Sequence, residues 1–316
     1  MINLIKESSN IVILSHIAPD GDSIGSSLAL FNSLTKQGKN VKFILDDDVP
    51  LIYSFLKGSD KVEKPIKDYA FELVIVLDSG DVGRLGESAK YLNEGKIINI
   101  DHHVSNSAFG SYNIIDSTAA ATAEIVYNVI KTLNIDIDKD MSECLYTAIV
   151  TDTGQFQYSN TTATTHHIVG DLINYGVKPS KIHSLVYQNN TKEKIKLIGE
   201  AINTLEFYLN DKISCITIKK EQFKKIGAKS EDCEGIINFA RDIGSVEVAL
   251  FFREDDGGKI KASFRSKNYI DVNIIAEKFG GGGHKRASGA TILGNLDTIK
   301  KQVIKETIEL FVVTQK

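Results

Sequence analysis

The first half of the chain predicts a doubly wound, mostly parallel α/β domain, and the second half a smaller mixed α/β domain. Two observations carry this. Short, continuous apolar runs alternate with helical patterns up to about residue 178, and hairpin signals appear only after residue 204. Runs that are apolar throughout suit strands covered on both faces of a parallel sheet. Strands that alternate with helices suit a wound sheet, and strands joined by tight turns do not.

Ile11–Ser15 is the first such run, and a helical pattern follows over Ile24–Lys36, with Gly38 at its end. Val41–Leu45, Leu73–Leu77 and Ile97–Ile100 are the next three strands. Helices follow over Ala119–Leu133, Lys139–Val150 and Thr162–Tyr175, the last capped by Gly176. Residues 179–204 read as a helical connection with charged faces. The second domain, 205–316, opens with Leu205–Leu209 and Ile213–Ile218 around Asn210–Asp211–Lys212. A stronger hairpin signal joins Val246–Arg253 to Lys259–Arg265 through Asp255–Asp256–Gly257–Gly258. A short helix over Ile270–Phe279, a glycine run, a strand near Ala290–Leu293 and an amphipathic helix over Leu296–Phe311 complete it.

Composition narrows the class. With 316 residues, two domains are expected. A formal net charge of −4 argues against a broad basic surface for long duplex nucleic acid. It leaves room for a small anionic substrate beside bound metal ions. Cys144, Cys215 and Cys233 form no CxxC pair, so reduced thiols and a cytoplasmic protein are expected. No apolar run approaches the roughly 18–20 residues that span a bilayer, so no membrane partner is expected.

Four short motifs sit where such a fold places ligands, at strand and helix ends. His16–Ile17–Ala18–Pro19–Asp20–Gly21–Asp22 follows the first strand, and Pro19 and Gly21 imply a tight loop. Taken alone, it serves equally as a metal site and as a turn in which Asp22 or Ser23 caps the next helix. Asp78 ends a strand, which by itself is ordinary turn chemistry. Asp101–His102–His103 ends another and is less easily explained by packing. Asp152 closes a helix, where a carboxylate opposes the helix dipole unless a cation lies beside it. The four supply carboxylates and imidazoles but no thiolate, a donor set that suits Mn²⁺ better than structural zinc. Two ions about 3.5–4 Å apart would activate a water and offset charge building on phosphorus.

HIAPDGDSIGS, VLDSG, DHH and TDTG resemble the four motifs of the DHH phosphoesterase family. FRSK and FGGGGHKRASG resemble its DHH-associated C-terminal domain. The resemblance spans nearly the whole chain and is closest to the family's short-RNA nucleases. The chain is much shorter than the RecJ exonucleases, and its glycine-rich ending differs from that of family II pyrophosphatases. The resemblance implies that His16 and Asp20 hold one divalent ion and that Asp22, His102 and Asp152 hold the other, with Asp78 bridging them. It also implies that Asp101 orients His102 and that His103 faces the scissile phosphate as donor or general acid.

Substrate contacts are expected mainly from the second domain. Seven Lys or Arg and two acids lie between Lys259 and Arg286. Arg265 is the foremost phosphate clamp, because a guanidinium fork matches phosphate oxygens. The glycines ending in Gly282 and Gly283 let backbone N–H groups approach an anion, and His284 follows them. Arg286 and Arg84 are secondary candidates. His166, His167 and His183 are expected to serve the surface or packing, and Asp46–Asp47–Asp48 to be solvated.

The expected enzyme is a metal-dependent phosphoesterase with its cleft between the domains. The resemblance implies two functions for it. It would degrade very short RNA oligonucleotides to mononucleotides and remove the 3′-phosphate of 3′-phosphoadenosine 5′-phosphate. Two other readings stay open: a phosphodiesterase for cyclic dinucleotides or their linear products, and a nucleotide-binding module without catalysis. A homodimer is the expected assembly, although no residue specifies it.

Overall fold

The computed structural model describes residues 1–66, 70–93 and 95–314. The last two residues of the expected second domain lie outside these. The chain divides into two compact units, Met1–Asn189 and Asn190–Lys316.

In chain order the first unit contains α1 (Ile2–Glu7), β1 (Asn10–Leu14), α2 (Gly21–Lys36), β2 (Asn40–Ile44) and β3 (Leu73–Leu77). A 3₁₀ segment over Val82–Asn93 precedes β4 (Lys96–Asp101) and β5 (Tyr112–Ile115). Then come α3 (Thr122–Thr132), α4 (Lys139–Asp152), α5 (Ala163–Asn174) and α6 (Pro179–Tyr187). The strands pair in the order β2-β1-β3-β4-β5, all parallel. Every residue of β3 is fully buried, which explains its continuous apolar run. Ile11, Ile13, Ile75 and Ile98 face the helices, whereas Val12, Leu14, Val74 and Val76 face Leu85 and Tyr91 of the 3₁₀ segment. Each buried aliphatic side chain contributes roughly 1.5–3 kcal/mol. The sheet is therefore covered on both faces as expected, one of them by a 3₁₀ segment.

The strand order reverses between β1 and β3, and a wound sheet opens a crevice at the carboxyl ends of such a pair. His16 follows β1 and Asp78 follows β3. Two boundaries differ from the sequence expectation in ways that matter for the site. The helix expected from Ala119 starts at Thr122, with Ala121 as its extended N-cap. The helix expected to stop at Val150 runs on to Asp152. β5 was not expected. It is short and mostly exposed at the sheet edge, so it lacks the apolar run that marks the other strands.

The expected connection over 179–204 divides between the units. Ile182 and Val186 of α6 join the first core, and Leu197 and Ala201 of α7 (Lys192–Asn203) join the second unit's packing. The second unit continues with β6 (Glu206–Tyr208), β7 (Ile213–Ile218), α8 (Lys220–Ile226), α9 (Ile236–Arg241), β8 (Val248–Glu254) and β9 (Lys259–Ser266). It ends with α10 (Asn273–Lys278), β10 (Gly282–His284), β11 (Ala287–Leu293) and α11 (Leu296–Thr314). Its mixed sheet runs β10-β11-β9-β8-β7-β6, with β7 and β8 the parallel pair. Both expected hairpins form, and the first turns through three left-handed residues, Leu209, Asn210 and Asp211.

Candidate metal centre

The loop after β1 performs two jobs with one carboxylate. Asp20 is the N-cap of α2, its Oδ1 accepting the Ser23 N–H at 3.0 Å. Its Oδ2 stands 3.8 Å from His16 Nε2. The expectation of Asp22 or Ser23 as the cap is corrected, and so is the place of the tight turn. Ala18 carries the left-handed φ of +51°, whereas Gly21 is the first helical residue. His16 Nδ1–H donates to the Ile17 carbonyl at 2.8 Å, which directs Nε2 to Asp78 Oδ2 at 3.5 Å. Arg84 Nη2 lies 3.1 Å from that same Nδ1. Burial lowers the His16 pKa, which favours the neutral ring.

Asp22 points the other way. Its Oδ2 accepts the Thr122 N–H at 2.6 Å, and its Oδ1 accepts the Ala123 N–H at 3.1 Å and the Ser26 hydroxyl at 2.9 Å. It therefore satisfies the positive end of α3 while standing 3.8 Å from His102 Nε2. Close packing of α2 on α4 brings in the last carboxylate. A side chain at Gly21 would collide with Thr151, and a Cβ at Gly25 would lie 2.5 Å from the Cys144 carbonyl oxygen. With glycine at both positions, Asp152 Oδ2 comes within 3.6 Å of His102 Nε2.

Asp78 links the two halves. It ends β3 with φ +56°, and its Oδ1 accepts the Thr122 hydroxyl at 3.0 Å and lies 3.7 Å from His102 Nε2. His16, Asp20 and Asp78 each offer one ligand atom within 4.8 Å of the others, and so do Asp22, His102 and Asp152. Burial, then the neighbouring carboxylates Asp22, Asp20, Asp152 and Asp101, push Asp78 well above the usual carboxylate range. Burial raises Asp22, and burial with Asp22 and Asp20 pushes Asp152 up to about 8. Carboxylates gathered this closely require cations or protons.

The ring partners of the DHH segment differ from expectation. Asp101 was expected to orient His102. Its Oδ1 instead accepts His103 Nδ1–H at 2.7 Å and the His102 backbone N–H at 2.9 Å. The His102 ring is held by the Ala119 carbonyl at 3.2 Å, which the late start of α3 leaves free to accept. Asn106 donates to Asp101 Oδ2 at 2.6 Å and to Asn99 Oδ1 at 2.8 Å. Burial works to raise Asp101, but the hydrogen bonds from His103 and Asn106 outweigh it and hold Asp101 low. The Asp101 hydrogen bond in turn raises His103.

The residues present fit a pair of divalent ions. His16 Nε2 is buried without a hydrogen-bond partner, an arrangement that costs free energy unless the lone pair binds something. The donors are oxygen and imidazole nitrogen only, and Asp78 belongs to both halves through different oxygens.

Residues 10–149 match the DHH family, N-terminal domain, and residues 216–312 match the DHHA1 domain. A Thermus thermophilus protein named bifunctional oligoribonuclease and PAP phosphatase NrnA is 33% identical, over 95% of this chain and 89% of that one. The chain belongs to the DHH family. A Bacillus subtilis protein of the same name is 30% identical to this DHH chain, over 96% of it and 98% of the relative. A crystal structure described as an exopolyphosphatase-related protein from Bacteroides fragilis superposes with a TM-score of 0.94 at 29% identity, covering 99% and 96% of the two chains.

Of the expected substrate residues of this DHH protein, Arg84 lies in the first unit beside His16. The others belong to the second unit. Arg265 lines a cavity of about 320 Å³ together with Arg253 and Lys261, and with Glu231 and Glu234 as the acids. Arg286 has a structural task, donating to the carbonyls of Ile270 at 2.7 Å and of Asn268. It braces the chain ahead of α10. Gly283 and the neighbouring Gly281 are explained by strand pairing. A Cβ at Gly283 would lie 2.6 Å from the Ala287 carbonyl oxygen, and one at Gly281 would strike the Gly289 carbonyl. A Cβ at Gly282 would meet only Asn273 Oδ1, at an ordinary 3.9 Å, and Gly282 is exposed, as is His284. Thr122, Ala119 and Asn106 were missed. Asn106 alone carried a signal, an amide three residues beyond the two histidines.

Proposed function

We propose that this DHH-family chain is a two-metal phosphoesterase that degrades very short RNA oligonucleotides to mononucleotides. The same site removes the 3′-phosphate of 3′-phosphoadenosine 5′-phosphate. One observation carries the reading: Asp78, a member of the His16 triplet, faces the unsatisfied His16 Nε2 with one oxygen and His102 of the other triplet with its second. The names of the Thermus and Bacillus relatives support the substrate class.

His16, Asp20 and Asp78 would hold one ion, and Asp22, His102, Asp152 and Asp78 the other. Bound there, divalent ions, with Mn²⁺ the expected one, supply Lewis acidity and neutralise charge on the phosphoryl oxygens. The protein groups perform the remaining tasks. His103 Nδ1 is committed to Asp101, so Nε2 is the atom that meets substrate. Its raised pKa suits a donor to a phosphoryl or leaving-group oxygen. The Arg84 guanidinium adds charge for the phosphate. In the second unit Arg265 is the phosphate clamp, with Gly282 and His284 offering exposed backbone and imidazole to the rest of the nucleotide. A cytoplasmic homodimer is the form we expect, and the three cysteines are unpaired, as suits a reducing compartment.

The test is a comparison of turnover on a two-to-five-nucleotide RNA, a cyclic dinucleotide and 3′-phosphoadenosine 5′-phosphate, each with Mn²⁺. Cleavage of the first and third at rates well above the second is expected. Preferred cleavage of the cyclic dinucleotide would overturn the substrate assignment.

A further inference from the structure

We propose that Asp46 and Asp47 are positioning residues of the metal centre, fixing the loop that carries His16 and Asp20 and the turn that carries Arg84. The inference rests on the two-metal reading above. Leu14 and Ile44 are paired in the parallel ladder of β1 and β2, so His16 and Asp46 lie equally far beyond the sheet edge. Asp47 Oδ2 accepts the Ala18 N–H at 2.6 Å, at the centre of the segment between the two ligands. Ala18 is held at φ +51°, a conformation that a residue with a Cβ adopts only under constraint. The carboxylate bond supplies that constraint.

Asp46 grips the second loop. Its carboxylate accepts the N–H of Glu87 and the N–H of Ser88, the latter at 3.0 Å, as well as the Ser88 hydroxyl. Gly86, at φ +60°, packs so closely on Asp46 that no Cβ would fit. This anchors the turn whose Arg84 carbonyl accepts the Ile17 N–H at 2.8 Å and whose guanidinium stands beside His16. Two consecutive carboxylates at the end of β2 thereby join the two loops around one ligand set. The expectation of a solvated acidic run holds for Asp47, which is exposed while it accepts the Ala18 N–H, and for Asp48, whereas Asp46 is half-buried. The Asp48 side chain is 92% exposed and pairs with Lys64 at 2.7 Å.

Asp48 therefore serves as the internal control, because its loss removes the same charge from the same run. Mn²⁺ binding to the full-length protein is measured by calorimetry for wild type, Asp47→Ala, Asp47→Asn and Asp48→Ala, with a thermal melt of each. Wild type is expected to bind two ions. Asp47→Ala is expected to weaken one of the two sites about tenfold, the low end of what partners behind metal ligands contribute. The other site stays within about twofold. Asp47→Asn, which keeps an oxygen to accept the Ala18 N–H, is expected to recover most of the affinity, and Asp48→Ala to match wild type. Wild-type affinity in Asp47→Ala would overturn the proposal. So would an equal loss in Asp48→Ala, which would make the effect one of net charge, or a failure of Asp47→Asn to recover affinity while melting like wild type. A wild-type protein that binds fewer than two ions would instead overturn the two-metal reading beneath it.

Discussion

Asp78 Oδ2 stands 3.5 Å from His16 Nε2, a buried nitrogen that no hydrogen bond satisfies. The other Asp78 oxygen accepts the Thr122 hydroxyl and faces His102. Asp78→Asn keeps the shape and removes the charge that faces both His16 and His102. Hydrolysis with Mn²⁺ is expected to fall by about 10²–10³-fold or more, and calorimetry is expected to show fewer than two ions bound. Wild-type turnover in this variant would remove Asp78 from the mechanism.

His103 is distinguished from its neighbour by what holds it. Asp101 accepts from His103 Nδ1, whereas His102 is held by a backbone carbonyl and directs Nε2 to Asp22 and Asp152. His103→Gln is expected to lower kcat by about 10²–10⁴-fold, the usual range for a proton donor, with Mn²⁺ affinity nearly unchanged. His103 Nδ1 also lies 3.6 Å from Asp78 Oδ1, and the two form a third triplet with His102. A loss of Mn²⁺ affinity in the variant would identify it as a ligand instead.

Metal-free protein is expected to lose stability as pH rises. Asp22, Asp78 and Asp152 all have raised pKa values in the fold, so the fold favours their protonated forms. Their contribution is fully present below the unfolded value of 3.8 and is lost as pH climbs through the folded value, about 8 for Asp152. The melting temperature of chelated protein should therefore fall between about pH 4 and pH 8, and the gain on adding Mn²⁺ should widen over the same window. A gain that stays constant with pH would contradict the assignment of these carboxylates as ligands.

Helix packing sets the position of Asp152. Gly25→Ala places a methyl 2.5 Å from the Cys144 carbonyl and 2.8 Å from Ala148 Cβ, so α2 and α4 must separate. Overpacking of this kind costs about 1–3 kcal/mol, read as a fall in melting temperature of about 2–4 °C per kcal/mol. A reduced Mn²⁺ affinity should accompany it. An unchanged melt would show that the helices yield without strain.

The six ligand candidates were legible because each sits at the end of a strand or helix, where a backbone pattern already marks a boundary. What each carboxylate touches was not. Asp22 meets Thr122, 100 residues away in the chain, and no local pattern announces that contact. The family resemblance implies that Asp101 orients the His102 ring, but its carboxylate accepts from His103 instead. Gly283 and Arg286 looked like ligand contacts, because a close backbone approach and a free guanidinium read the same in sequence whether their partner is a phosphate or the protein's own chain. β5 escaped notice because an exposed edge strand has no burial pattern to display. The acidic run after β2 reads as solvent-facing, since sequence does not reveal that three loop N–H groups lie within reach of Asp46 and Asp47.

The central claim is tested most directly by incubating the wild-type chain with a diribonucleotide and Mn²⁺ and identifying the products, beside a chelated control. Conversion to mononucleotides with Mn²⁺ and none after chelation is predicted. An intact dinucleotide under both conditions, with 3′-phosphoadenosine 5′-phosphate and the cyclic dinucleotide also uncleaved, would contradict the account and favour a nucleotide-binding module.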